Sequence, residues 1–259
     1  MNNNLTHNTS EIKQSKKLLL VVSMIFIYIV IFEFVLIPIK FIPKPSILFD
    51  SFISLWDSYN LAALLFSTTS IIYLSLVIGY FLISISAKYL LKIVYEFSGM
   101  MNLSVPFKYF SIFFFALLFN LWFSDSLTAE FFFAILIVFS FLLSVLNKSS
   151  KNAKEEYILT AKSLGLNNTE IYGKVIWKEI EPTIFGGLTA LHVSLWMIIL
   201  IYEFVGKTDG IGSLYYSAYF YNDIGAVVAL GILTSLLILI GNLIIKSLHR
   251  KLFLGSHSN

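Results

Sequence analysis

Tyr157 to Pro182 reads YILTAKSLGLNNTEIYGKVIWKEIEP, a polar, lysine-dotted stretch between long apolar runs. Its surroundings decide the fold. The chain has 259 residues, of which 58% are hydrophobic and 13% charged, whereas a soluble domain carries about a quarter charged residues. The apolar residues gather in runs of roughly 17–25, the length that crosses a hydrocarbon core of about 30 Å. In lipid a helix is the element that satisfies its own backbone hydrogen bonds. The fold class is therefore all-α, a polytopic membrane protein, and the quoted stretch is a loop between two of its spans.

Six transmembrane helices are predicted, at 18–39, 61–87, 106–122, 129–146, 184–204 and 224–246. Pro38, Pro43 and Pro45 end the first, and 88–105 either extends the second or lies along the interface. The organisation is a polar tail 1–17, a membrane domain 18–246 that includes the loop 147–182, and a basic tail 247–259. The first apolar run is too long for a signal-peptide core and has no small-residue cleavage site behind it, so it reads as an uncleaved span. Six spans put both termini on one side. That side holds fifteen of the eighteen basic residues, leaving Lys40, Lys44 and Lys207 opposite. The positive-inside rule then places both termini and the 147–182 loop in the cytoplasm.

Within the loop, Ile158, Ala161 and Leu164 fall on one helical stripe. Gly165 follows, where a helix C-cap in the left-handed region favours glycine. Asn167 with Glu170 three positions on is close to a capping box. A second, short helix is predicted from about Asn168 to Trp177, with Ile171, Tyr172, Val175 and Ile176 on one face, and Pro182 marks the start of the fifth span. A helix this short is marginal in water. It rests either on the protein's own loops or in a partner's groove.

The loop resembles the EAA loop of ABC-importer permeases. Ala161 matches the last alanine of that pattern, Gly165 its glycine, and Val175, Ile176 and Pro182 its hydrophobic and proline part; Leu159 and Thr160 replace the usual Glu-Ala. Pro43-Lys44-Pro45-Ser46 with Leu55-Trp56, Glu203 with Gly210-Ile211-Gly212, and Gly241-Asn242 before His249-Arg250-Lys251 are similar to segments of the sulfonate, taurine and nitrate branch. The resemblance implies a permease subunit that forms the pore for a small polar or anionic solute by alternating access. It implies a second, identical or different, permease subunit, two ABC ATPase subunits and an extracytoplasmic substrate-binding protein as partners. It assigns Leu159, Thr160, Ala161, Gly165, Asn168, Ile171, Tyr172 and Val175 to ATPase coupling, with the Ile171, Tyr172 and Val175 face seated in the ATPase.

Other polar residues have two readings each. Glu33 and Glu203 lie in apolar runs, where carboxylates are rare and often functional; each is a candidate for the path or gate, or an interfacial anchor. His192 and Trp196, one turn apart, are a candidate pore stripe or a packed, hydrogen-bonded pair. Tyr215, Tyr216, Tyr219 and Tyr221 suit an interfacial aromatic belt or part of the landing surface for a binding protein.

Several chemistries are excluded. No cysteine is present, and the net charge of +3 is too small to suggest nucleic-acid binding. Gly206-Lys207-Thr208 is no phosphate loop, because Ile201 stands where that pattern needs glycine. No metal-spaced cluster, cofactor motif or catalytic elbow is present, so no enzyme activity is expected of this chain. An ion-driven secondary transporter is the alternative; it calls for paired carboxylates and interrupted helices at mid-bilayer.

Overall fold

The structure, a computed structural model, describes residues 19–20, 22–24, 26–35, 43–96, 111–123, 127–153 and 155–254. The 1–17 tail, Pro38, Lys40, Lys108, Lys154, the 97–105 stretch and the end of the chain from 255 lie outside the described residues. Those described are helical or in turns, with no strand among them.

The helices are α1 (Val22–Phe34), α2 (Pro45–Ser58), α3 (Leu61–Glu96), α4 (Ile112–Trp122), α5 (Leu127–Ser150), α6 (Glu155–Ser163), α7 (Asn168–Gly206), α8 (Ile211–Phe220) and α9 (Ile224–His249). Four of them, α3, α5, α7 and α9, are long and apolar enough to cross a membrane, while α1 and α4 are shorter apolar helices. The ambiguous 88–105 segment divides accordingly: Lys88 to Glu96 continue α3. At about 1.5 Å per residue α3 is about 54 Å long, well beyond a hydrocarbon core of about 30 Å.

Three predicted boundaries change. Pro45 does not merely end a span; it occupies the first turn of α2, where its missing N–H costs nothing. The short helix expected to stop near Trp177 does not stop. From Asn168 to Gly206 the chain is one helix of 39 residues, with a π-helical stretch at Ile171–Ile176 and Pro182 inside it. Pro182 removes one backbone donor, and packing braces the site. His249 Nε2 donates to the Pro182 carbonyl at 3.1 Å, and the His249 ring stacks on Phe185. Finally, part of the expected basic tail is helical, because α9 continues into a π-helical turn at Arg250–Leu254.

The chain divides into two units: residues up to Tyr59 with Ala218–Gly231, and Asn60–Ser217 with Ile232 onward. In the first, Tyr28 donates to the Pro43 carbonyl at 2.7 Å, joining α1 to the start of α2. In the second, α3 packs along α5, and α7 packs against α3, α4 and α5. The buried stripes repeat at helical spacing: Ile72, Ile83 and Leu91 on α3, Val138, Leu142 and Leu146 on α5, and Ile184, Leu191, Leu195 and Ile199 on α7. The phenylalanines divide between packing and exposure, with Phe133 fully buried and Phe113 and Phe132 exposed.

Candidate functional site

The 155–176 loop is shaped by two local motifs placed end to end. α6 closes in a Schellman motif: Leu166 N donates to the Ala161 carbonyl at 3.2 Å and Gly165 N to that of Lys162 at 3.0 Å. Gly165 has φ +80°, a conformation that side chains with a Cβ resist. The next residues form a complete capping box. Asn167 Oδ1 accepts from Glu170 N at 2.9 Å, and Glu170 Oε2 accepts from Asn167 N at 3.2 Å. Lys174 pairs with Glu170 at 3.0 Å, one turn further on.

The apolar face of the second helix points into the chain itself. Ile171 is 1% exposed, Ile176 is fully buried, and Tyr172 stacks on Tyr95 of α3 at 5.4 Å between centroids. Tyr95 in turn donates to the Ser150 carbonyl at 2.7 Å, so this helix is seated on the ends of α3 and α5. Val175 is half-buried. Ile171 is thus covered by the chain itself, while Tyr172 and Val175 keep part of their surface exposed. Periodicity identifies an apolar face without saying what covers it.

The outward face belongs to α6 and the turn. Leu159 is 61% and Leu164 75% exposed. Leu164 therefore leaves the stripe predicted for it with Ala161, because the chain turns there. Thr160 and Asn168 are exposed, with Thr160 Oγ1 donating to the Glu156 carbonyl at 2.8 Å, and Ala161 is buried.

At the other end of α7, Glu203 is fully buried in a knot of neutral groups. Its Oε1 accepts from Thr68 Oγ1 and its Oε2 from Gly212 N, each at 2.6 Å. Thr68 Oγ1 also accepts from Ile211 N at 2.9 Å, so one hydroxyl ties α3 to both the carboxyl group and the start of α8. Glycine is required at 212, because a Cβ there would meet the Leu200 carbonyl and the Glu203 side chain. Glu130 of α5, also fully buried, accepts from Thr208 Oγ1 at 3.1 Å, so the Thr208–Gly212 turn holds both carboxyl groups. Sequence reasoning missed Glu130, since a carboxylate next to a predicted span end reads as solvated.

His192 and Trp196 are both fully buried. The indole Nε1 can only donate, and it does so to His192 Nε2 at 3.0 Å. That nitrogen is therefore bare, and Nδ1 carries the hydrogen that goes to Asn242 Oδ1 at 3.1 Å. The Tyr73 hydroxyl lies 3.3 Å from the same Nε2. The network joins α3, α7 and α9 around a neutral imidazole.

Glu33 accepts from Ser46 N at 3.2 Å, in the first turn of α2. A carboxylate there satisfies an orphan donor and faces the positive end of the helix dipole. Tyr219 and Tyr221 are exposed, and Tyr215 donates to or accepts from Thr234 at 3.0 Å. Within the second unit the structure thus draws Glu203 into one buried cluster and His192 with Trp196 into another. Among the described residues no group of acidic, histidine or cysteine side chains is arranged to hold a metal.

Residues 76–254 match the family described as binding-protein-dependent transport system inner membrane component. No curated protein and no solved structure matches the chain. The match takes in α4 to α9 whole, together with the greater part of α3, and so includes the loop, Glu130, Glu203, His192 and Trp196, while Thr68 and Tyr73 lie just before it. Transport in such a system draws on ATP hydrolysis in partner subunits, which sets aside an ion-driven carrier. The chain belongs to the family of binding-protein-dependent transport system inner membrane components and is a multi-pass, non-enzymatic permease component of an ABC importer.

Proposed function

We propose that this chain is a pore subunit whose 147–182 loop is the coupling element, worked by ABC ATPase subunits through alternating access. The observation that carries this reading is the outward display of Leu159 and Leu164 on a loop whose backbone is fixed by the Schellman motif and the capping box. A preformed apolar knob suits docking, because little ordering entropy remains to be lost on binding. The loop helix runs without a break into the α7 span, so a push on the loop reaches the membrane domain. ATP-driven closure acts only as far as the ATPases bind one permease state better than the other.

The wider assembly has a second permease subunit, identical or different, and a substrate-binding protein on the far face. Six spans with both termini in the cytoplasm follow from the apolar runs and the lysine distribution. The solute class is small and polar or anionic, of the sulfonate, taurine or nitrate kind, supported by Pro43-Lys44-Pro45-Ser46, Leu55-Trp56 and Gly210-Ile211-Gly212.

The test is Leu164→Asp, beside Gly165→Pro, in cells that express the whole transporter. Both variants insert into the membrane, lose the co-purifying ATPase and lose uptake. Normal uptake with stoichiometric ATPase in both variants would sink the coupling assignment. Uptake assayed with taurine, an alkanesulfonate and nitrate separates the solute question from the coupling question.

A further inference from the structure

Glu130 and Glu203 come from different helices, and each is 0% exposed. One turn holds both carboxyl groups, Glu130 through Thr208 Oγ1 and Glu203 through Gly212 N, which sets the two side by side. Lys174 pairs with Glu170 and Lys178 with Glu181, and among the described residues no ion pair is seen at either buried carboxyl. The groups around the pair are neutral: the hydroxyls of Thr68 and Thr208 and the backbone N–H of Gly212. Two negative charges touching in a dry site without a cation repel strongly, and burial of even one unpaired charge is costly.

The donors decide where a hydrogen is missing. Both oxygens of Glu203 receive short hydrogen bonds, as an ionised carboxylate requires. Glu130 receives one, from Thr208, and its Oε1 is buried without a donor. A carboxylate is acceptor-only, whereas a carboxylic acid has one hydrogen to give. A hydrogen on Glu130 gives that orphaned carboxyl oxygen a role; the buried Tyr202 hydroxyl is the other polar atom of this region with no partner.

We propose that Glu130 and Glu203 form a proton-binding site, with one proton held on Glu130 as a carboxylic acid that donates to the Glu203 carboxylate. The proton comes from bulk water; one O–H bond forms on Glu130 and no bond in the protein breaks. The site closes a joint made of α3, α5, the end of α7, the Thr208 turn and the first turn of α8. Loss of the proton places two charges in contact and opens the joint. The titratable groups nearby do not replace it. The Tyr202 hydroxyl is buried without a partner but is itself neutral and cannot cancel a carboxylate charge, Lys207 sits over the Tyr216 ring at 4.5 Å, and Asp209 is exposed.

Infrared spectroscopy of the full chain in lipid vesicles tests the site. The wild type shows a buried carboxylic-acid carbonyl band at neutral pH, which shifts in heavy water. Glu130→Gln loses that band and melts close to the wild type, because its amide still donates to Glu203 and its oxygen still accepts from Thr208. Glu203→Gln melts lower, because an amide cannot accept with both terminal atoms. Absence of the band in the wild type overturns the proposal whether or not the variants fold. A band that survives in Glu130→Gln, or equal losses of melting temperature in the two variants, overturns it as well.

Discussion

Thr68→Val tests whether one hydroxyl holds the Glu203 end of the bundle. Valine keeps the shape of threonine and removes only its hydrogen-bonding. Thr68 Oγ1 donates to Glu203 Oε1 at 2.6 Å and accepts from Ile211 N at 2.9 Å. Its longer contact, to the Leu64 carbonyl at 3.2 Å, is dispensable because that carbonyl belongs to the α3 ladder. The substitution leaves a buried carboxylate oxygen and a buried N–H without partners. A hydrogen bond to a charged group contributes about 1.5–3 kcal/mol, and an unsatisfied buried donor costs about 1–3 kcal/mol. With partial relaxation the loss is about 3–5 kcal/mol. Each kcal/mol lowers the melting temperature by about 2–4 °C for a chain of this size class, so a drop of about 10 °C is expected. Thr68→Ser is the control: it keeps the hydroxyl and sheds one methyl, worth about 0.8 kcal/mol. Melting is followed by intrinsic fluorescence in detergent–lipid micelles, where buried Trp196 and Trp177 report loss of packing. If Thr68→Val melts with or above Thr68→Ser, the hydroxyl is not the tie described.

Two further expectations concern the other sites. His192→Phe retains an aromatic ring but strands the Trp196 N–H, the Tyr73 hydroxyl and Asn242 in a buried site; at about 1–3 kcal/mol for each stranded group, it destabilises well beyond Trp196→Phe, and comparable melting curves for the two would count against the network. Asn167→Ala removes the cap that Glu170 N uses and costs about 1 kcal/mol locally; hydrogen exchange should quicken at 168–170 while the α7 span stays protected, and unchanged exchange there would contradict the capping role.

The features that sequence exposed are those with local causes. The long apolar runs announce helices in lipid, and the Gly165 turn and the Asn167–Glu170 box are written within a few adjacent residues. What stayed hidden depends on partners far along the chain. Thr68 and Glu203 are 135 residues apart, and neither carries a sign of the other. Glu130 looks like an ordinary solvated residue near a span end until the fold brings it to Glu203. The direction in which Ile171 points was equally illegible, since an amphipathic face looks the same whether α3 or another protein covers it. Proline misled twice, at Pro45 and Pro182. A rule about single residues cannot foresee that the first opens a helix and that His249 braces the second.

The unbroken helix from Asn168 to Gly206 has a mechanical consequence. At about 1.5 Å per residue it is a rod roughly 58 Å long, with the loop motifs at one tip and Glu203 near the other. A stiff rod that tilts about its middle moves both tips by equal amounts in opposite directions. An impulse at Asn168 is thus delivered as a counter-swing at Glu203, with no relay of side-chain rearrangements between. Pro182 lies nearer the loop tip, so any flexing there trims the input stroke and leaves the long arm rigid.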